Sequence, residues 1–189
     1  MKKHIKILKK KLKIFDPKFK EECGVFGISN TKDASALTAL GLHALQHRGQ
    51  EGCGIVTFDG KKYYSEKRFG LVGDNFNKEE ILNKLKGNYA IGHNRYSTTG
   101  DNILRNMQPF FADTNAGGIG VAHNGNLTNS ISIRNKLVED GAIFYTTSDT
   151  ETIVKLIAKS KRSKTIDKVV DAIFQIQGGY ALVMLTQTS

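Results

Sequence analysis

Apolar and polar positions along this chain fall into short blocks, and the period of each block predicts its element. The run Gly24-Val25-Phe26-Gly27-Ile28 is apolar and stops at Ser29-Asn30, which predicts a short buried strand. Ala34, Leu37, Leu40, Leu42 and Leu45 then recur at helical spacing, predicting a helix from about Asp33 to His47 with Asp33 as N-cap and Gly49 as stop. Residues 54–58 and 61–66 read as strands around Asp59-Gly60, a two-residue hairpin signal. Further strands are expected at 88–95, 117–123 and 179–187, and helices at 78–86, 129–140, 149–160 and 165–176. Hairpins interspersed with helices favour an α+β arrangement over a regularly alternating parallel sheet. No internal repeat, low-complexity linker or second domain is visible.

Charge changes this picture only at the start. The formal charge is +10, yet residues 1–20 hold nine lysines against one acid, leaving 19 basic and 17 acidic residues for positions 21–189. The body is nearly balanced, so the excess is no argument for a nucleic-acid or membrane partner of the folded part. In the leader, Ile5, Leu8, Leu12 and Phe15 lie at roughly helical spacing between lysines. That pattern fits either a basic amphipathic helix on an acidic surface or a solvated, removable leader. No apolar run reaches the length of a signal-peptide core or a membrane span, and a cytoplasmic protein is expected. Two cysteines, Cys23 and Cys53, make no disulfide framework and no CxxC motif.

Polar residues concentrate in four segments at predicted strand or helix ends, where a rigid scaffold presents reactive groups. In Glu21-Glu22-Cys23-Gly24-Val25, Cys23 is either a buried small hydrophobe or a nucleophile. Cleavage of the Glu22–Cys23 bond would free an α-amine beside the thiol as a built-in base. In His93-Asn94-Arg95-Tyr96-Ser97-Thr98, Arg95 either pairs with a surface acid or offers its planar fork to a substrate carboxylate. In His123-Asn124-Gly125-Asn126, Asn-Gly reads as a turn, or as two donors for an oxyanion, the Asn124 amide and the Gly125 N–H. In Ser148-Asp149-Thr150-Glu151, Ser148 or Asp149 caps the next helix, or Asp149 supplies a carboxylate for a substrate ammonium. His43 and His47 could share a helix face, but the segment lacks the glutamate of a zinc-protease helix. There is no P-loop, and Gly117-Gly118-Ile119-Gly120 does not satisfy the dinucleotide fingerprint.

Together, Leu45-Gln46-His47-Arg48-Gly49-Gln50-Glu51, His93 to Thr98, Gln108-Pro109, Ala122 to Thr128 and Ser148 to Glu151 resemble the class II glutamine amidotransferases, a group of N-terminal nucleophile hydrolases. The resemblance runs from about Glu22 to the chain end and is strongest to the branch in which a phosphoribosyltransferase domain follows the glutaminase and serves purine synthesis. It implies a four-layer αββα sandwich, truncated at its C-terminal end, with a leader over 1–22 and a partial glutaminase domain over 23–189. It also implies roles: Cys23 as nucleophile, Asn124 and Gly125 as oxyanion donors, Arg95 and Asp149 on the α-carboxylate and α-amine, and Tyr96, Thr98 and the loop from Arg48 in the glutamine pocket. Glutamine hydrolysis would need no cofactor or metal, and Mg2+ is expected only for the phosphoribosyltransferase domain, absent here. That domain, or a separate chain, would accept the ammonia, and the full-length protein is expected to be a homo-oligomer. Two cysteines cannot supply the four-cysteine iron–sulfur site of some members. Other readings are an N-terminal nucleophile amidase acting on a different amide, or an inactive truncated module whose basic leader binds membranes or nucleic acid.

Overall fold

The computed structural model describes residues 23–96 and 103–187; the basic leader lies outside them. Strand β1 (Gly24–Ile28) leads into helix α1 (Ala34–Ala44), a 3-10 turn over Gln46–Arg48, and the hairpin of β2 (Gly52–Phe58) and β3 (Tyr63–Phe69). Two single-turn helices, α2 (Val72–Asn75) and α3 (Glu79–Leu82), precede β4 (Tyr89–Arg95). A second 3-10 turn, Leu104–Asn106, precedes β5 (Phe110–Thr114) and β6 (Gly117–Leu127). Helices α4 (Ser130–Glu139), α5 (Asp149–Lys159) and α6 (Thr165–Ile173) come before β7 (Gly178–Thr186).

The strands form two antiparallel sheets, ordered β1-β4-β2-β3 and β5-β6-β7. Because successive side chains of a strand point to opposite faces, each central strand feeds two cores. Ile55 joins Ala34, Leu42 and Ala90 beneath α1, while its neighbour Val56 meets Ile91 and Ala122 between the sheets. On the second sheet Val121 packs with Ile153, Ile157 and Val169 of α5 and α6, and Ala122 faces inward. The layers are therefore helix, sheet, sheet, helix, the αββα sandwich that the resemblance implied.

Local departures from the expected pattern have physical causes. The hairpin loop is four residues long, because Phe58 pairs with Tyr63 and Asp59 Oδ1 accepts the N–H groups of Lys61 and Lys62 at 2.8 and 2.7 Å. That side-chain turn delays β3 to Tyr63–Phe69. The helix expected at 78–86 is a single turn, Glu79–Leu82, with Asn83, a weak helix former, at its C-cap. The N-cap position of α1 is Asp33, although its side chain makes no capping bond. The helix ends at Ala44 and passes into the 3-10 turn, so His43 and His47 do not share one α-helical face. Strand β5 was not expected, although buried Phe110 beside exposed Phe111 is the alternation of an edge strand.

Candidate active site

Strand β1 opens immediately after Cys23, and the register that sets Gly24 opposite Asn94 brings the thiol to the point where β4 leaves its sheet. Cys23 Sγ lies 3.4 Å from both the N–H and the C=O of Tyr96. The residue is buried and has φ of +56°, a left-handed conformation that is costly for any residue with a Cβ. The loop after α1 builds the same corner. Gln46 Oε1 accepts from the Val72 N–H at 2.7 Å and Gln46 Nε2 donates to the Gly49 carbonyl at 2.5 Å. This fixes the turn from which Arg48 Nε donates to the Cys23 carbonyl at 2.7 Å. Gly49 is in extended backbone, not the left-handed stop of a helix. Its glycine is required because a Cβ there would lie 2.6 Å from the Arg95 carbonyl carbon.

Arg95 is 4% exposed, and its Nη1 donates to the Asn106 carbonyl at 3.0 Å. The Asn106 side chain in turn exchanges two hydrogen bonds with Thr147, two residues before Asp149. One polar chain thus runs from the end of β4, through the 3-10 turn before β5, to the start of α5. At that start the cap is Ser148, whose side chain accepts from the Thr150 N–H. Glu151 binds the N–H groups of Tyr145 and Thr146. With capping done by Ser148, the Asp149 carboxylate turns toward β6, where Oδ2 accepts the Leu127 N–H at 3.0 Å and Oδ1 lies 3.6 Å from His123 Nδ1. Burial opposes the Asp149 anion, but His123 and the N–H groups of Leu127 and Thr150 outweigh it and hold the carboxyl below its ordinary range. A cavity of about 520 Å³ opens beside Asp149, between Asn126, Thr128, Arg134 and Thr147.

Asn124 and Gly125 do not form a turn. They lie inside β6, paired with Ala181 and Tyr180 of β7, so the strand expected to end at residue 123 continues to Leu127. Gly125 has φ of +145°, and a Cβ there would come within 2.3 Å of the Gly179 carbonyl oxygen; only glycine fits. Ile91 and Ala122 meet between the sheets, and two residues further along, His93 is an electrostatic neighbour of His123. Arg95 and Asn124 therefore lie at one end of the sandwich, the end at which Cys23 begins β1.

Among the residues singled out from sequence, Cys23, Arg48, Arg95 and Tyr96 share one corner, and Asp149 is tied to it through Asn106 and Thr147. Tyr96 contributes its backbone to that corner, and Thr98 lies outside the described residues. Cys53 behaves differently from Cys23: it sits in the apolar core under α1, and burial pushes its thiol up to about 12, opposed by Arg68. Sequence reading passed over Asn106 and His123. Two polar residues, Arg105 and Asn106, between the apolar Ile103-Leu104 and Met107 were the available signal for Asn106; His123 stood inside a recognised motif but had no role.

A family profile described as a glutamine amidotransferase domain matches residues 93–189. The chain is 55% identical over 168 residues to an amidophosphoribosyltransferase of Rhizobium etli, covering 89% of this chain and 34% of that protein. It is 45% identical to an amidophosphoribosyltransferase of Lacticaseibacillus casei, over 88% of this chain and 86% of that one. Among solved structures, the glutamine phosphoribosylpyrophosphate amidotransferase from B. subtilis, complexed with ADP and GMP, superposes with a TM-score of 0.80 at 41% identity. That match covers 86% of this chain and 35% of the other. The structure of the allosteric regulatory enzyme of purine biosynthesis gives a TM-score of 0.81 at 42% identity. The chain thus spans about a third of the length of the Rhizobium etli relative and of both solved structures. On sequence and fold together, the chain belongs to the glutamine amidotransferases, on their amidophosphoribosyltransferase branch.

Proposed function

We propose that this chain hydrolyses the side-chain amide of glutamine, as the glutaminase part of an amidophosphoribosyltransferase. The observation that carries the reading is the corner itself: the Cys23 sulfur rests on the backbone next to Arg95, and Arg95 is linked through Asn106 and Thr147 to the Asp149 segment. A carboxylate-binding fork and an ammonium-binding carboxylate linked in this way, with a thiol at the same corner, suit a substrate carrying both charges of an amino acid.

The mechanism begins with removal of residues 1–22. The strain at Cys23 supports this step, since φ is no longer constrained once residue 23 carries a free amine. The α-amine takes the thiol proton, and sulfur attacks the amide carbon of glutamine. The Asn124 amide and the Gly125 N–H donate to the oxyanion, in a strand where glycine is sterically required. The ammonium formed at Cys23 returns its proton to the amide nitrogen, and collapse breaks the C–N bond so that the nitrogen leaves as ammonia. Water then adds to the glutamyl thioester, glutamate leaves, and the thiol is regenerated. Arg95 binds the α-carboxylate and Asp149 the α-ammonium, with Tyr96, Thr98 and Arg48 shaping the pocket. No metal takes part in this half reaction.

The ammonia would pass to a phosphoribosyltransferase domain or chain, where it converts phosphoribosyl pyrophosphate to phosphoribosylamine and Mg2+ is needed. The complete protein acts as a cytoplasmic homo-oligomer. Among the described residues no helix is long and apolar enough to cross a membrane. Intact mass measurement of active protein should find a chain starting at Cys23, and Cys23→Ala should abolish glutamine turnover. Active material that keeps Met1 would contradict the mechanism.

A further inference from the structure

His123 sits at the same end of the sandwich as Asp149 but takes no part in the chemistry assigned to Asn124 and Gly125. The residue is 2% exposed, and its ring stands between β6 and the first turn of α5. Nδ1 is 3.0 Å from Thr150 Oγ1 and 3.6 Å from Asp149 Oδ1. Gln108 fixes the backbone beneath it, its Oε1 accepting the His123 N–H at 2.7 Å and its Nε2 donating to the His123 carbonyl at 3.2 Å. A proton on Nδ1 suits both oxygen neighbours. Nε2 is buried without a hydrogen-bond partner among the described residues. The other Asp149 oxygen is held by the Leu127 N–H at 3.0 Å. The ring thus flanks one carboxylate oxygen while the backbone binds the other.

We propose that His123 is a positioning residue for substrate selection: it aims the Asp149 carboxylate at the substrate's α-ammonium and so favours α-amino acid amides over amides that lack the amine. This inference rests on Asp149 being the partner of that ammonium. A residue that only supported the fold would affect turnover of both kinds of amide alike. A positioning residue changes their ratio.

The test compares kcat/KM for glutamine with that for glutaramate, the same amide without the α-amine, in the mature full chain. His123→Leu is expected to lower the preference for glutamine about tenfold, the order lost when a carboxylate loses a polar neighbour. The loss should appear in KM, with kcat held. His123→Asn, whose amide nitrogen falls near the position of Nδ1, should retain most of the preference, and His123→Gln, whose nitrogen falls near Nε2, should not. Unchanged preference in His123→Leu, with loss in Asp149→Asn, overturns the positioning role alone. Unchanged preference in Asp149→Asn overturns the assignment of Asp149 itself. Should His123→Leu fail to fold, equal preference in the Asn and Gln variants overturns the proposal.

Discussion

Asn106 and Thr147 are joined by two hydrogen bonds, Asn106 Nδ2 donating to Thr147 Oγ1 at 2.8 Å and the Thr147 N–H donating to Asn106 Oδ1 at 3.1 Å. Because the Asn106 carbonyl also receives Arg95, this pair sets the spacing between the two charged ends of the proposed clamp. Asn106→Ala leaves the carbonyl but releases Thr147. The expected outcome is a rise in KM for glutamine of about tenfold with little change in kcat, and a loss of roughly 1–3 kcal/mol of stability from buried groups left unpaired. Steady-state kinetics and urea denaturation read the two effects separately. A normal KM would mean that Arg95 and Asp149 are placed independently of each other.

Gly125→Ala tests the strand geometry behind the oxyanion donors. The new Cβ would face the Gly179 carbonyl oxygen at 2.3 Å in a backbone conformation with φ of +145°. Both features push β6 away from β7 at the site. A destabilisation of about 1–3 kcal/mol is expected, and a kcat loss of about a hundredfold or more if the Gly125 N–H is displaced from the oxyanion. Wild-type kcat in a folded Gly125→Ala protein would remove Gly125 from the mechanism.

Cys23 and Cys53 should separate cleanly toward an alkylating reagent. Burial raises the Cys53 thiol to about 12 and its Sγ faces the Gly70 carbonyl, so almost no thiolate forms there near pH 8. Iodoacetamide added to the mature native protein should modify Cys23 and leave Cys53 intact, and peptide mass analysis should find both modified after denaturation. Comparable labelling of Cys53 in the native state would show that β2 opens on the timescale of the reaction.

The parts of the site legible in sequence were those whose chemistry is local. Cys23 at the start of an apolar strand, Arg95 at the end of another and Asp149 ahead of an amphipathic helix each carry their signal within a few residues. The same locality misled at Asn124-Gly125, where a dipeptide that usually turns a hairpin runs straight through β6. Pairing with Tyr180 and Ala181, more than fifty residues away, overrides the local preference, and no short-range rule contains that partner. Asn106 was hidden for the same reason. Its importance comes from meeting Thr147 and Arg95, each reached through the tertiary fold. The helices of the second half were read nearly to their ends, since α5 has its cap at Ser148 and a strong apolar stripe. The helix expected at 78–86, with neither, shrank to one turn.

His93 gives the stability a pH dependence of defined sign. It lies inside the sandwich on β4, where burial first, and then its neighbours Arg95 and His123, push its imidazole down to about 3. An unfolded chain would protonate the same ring near 6.5. Between these values the unfolded state binds a proton that the folded state does not, so acid favours unfolding. The contribution is fully present above pH 6.5 and is lost as pH falls toward 3, at on the order of 1.4 kcal/mol per pH unit. Asp149, held below its ordinary range, adds a loss of the same sign at lower pH. Subtracting the stability of His93→Phe from that of wild type isolates the histidine, because Asp149 is common to both. Denaturant titrations from pH 7.5 to 4 should give a difference that is level above about 6.5 and slopes downward below it. A difference that stays level to pH 4 would mean that water reaches the ring and that His93 protonates without unfolding the sandwich.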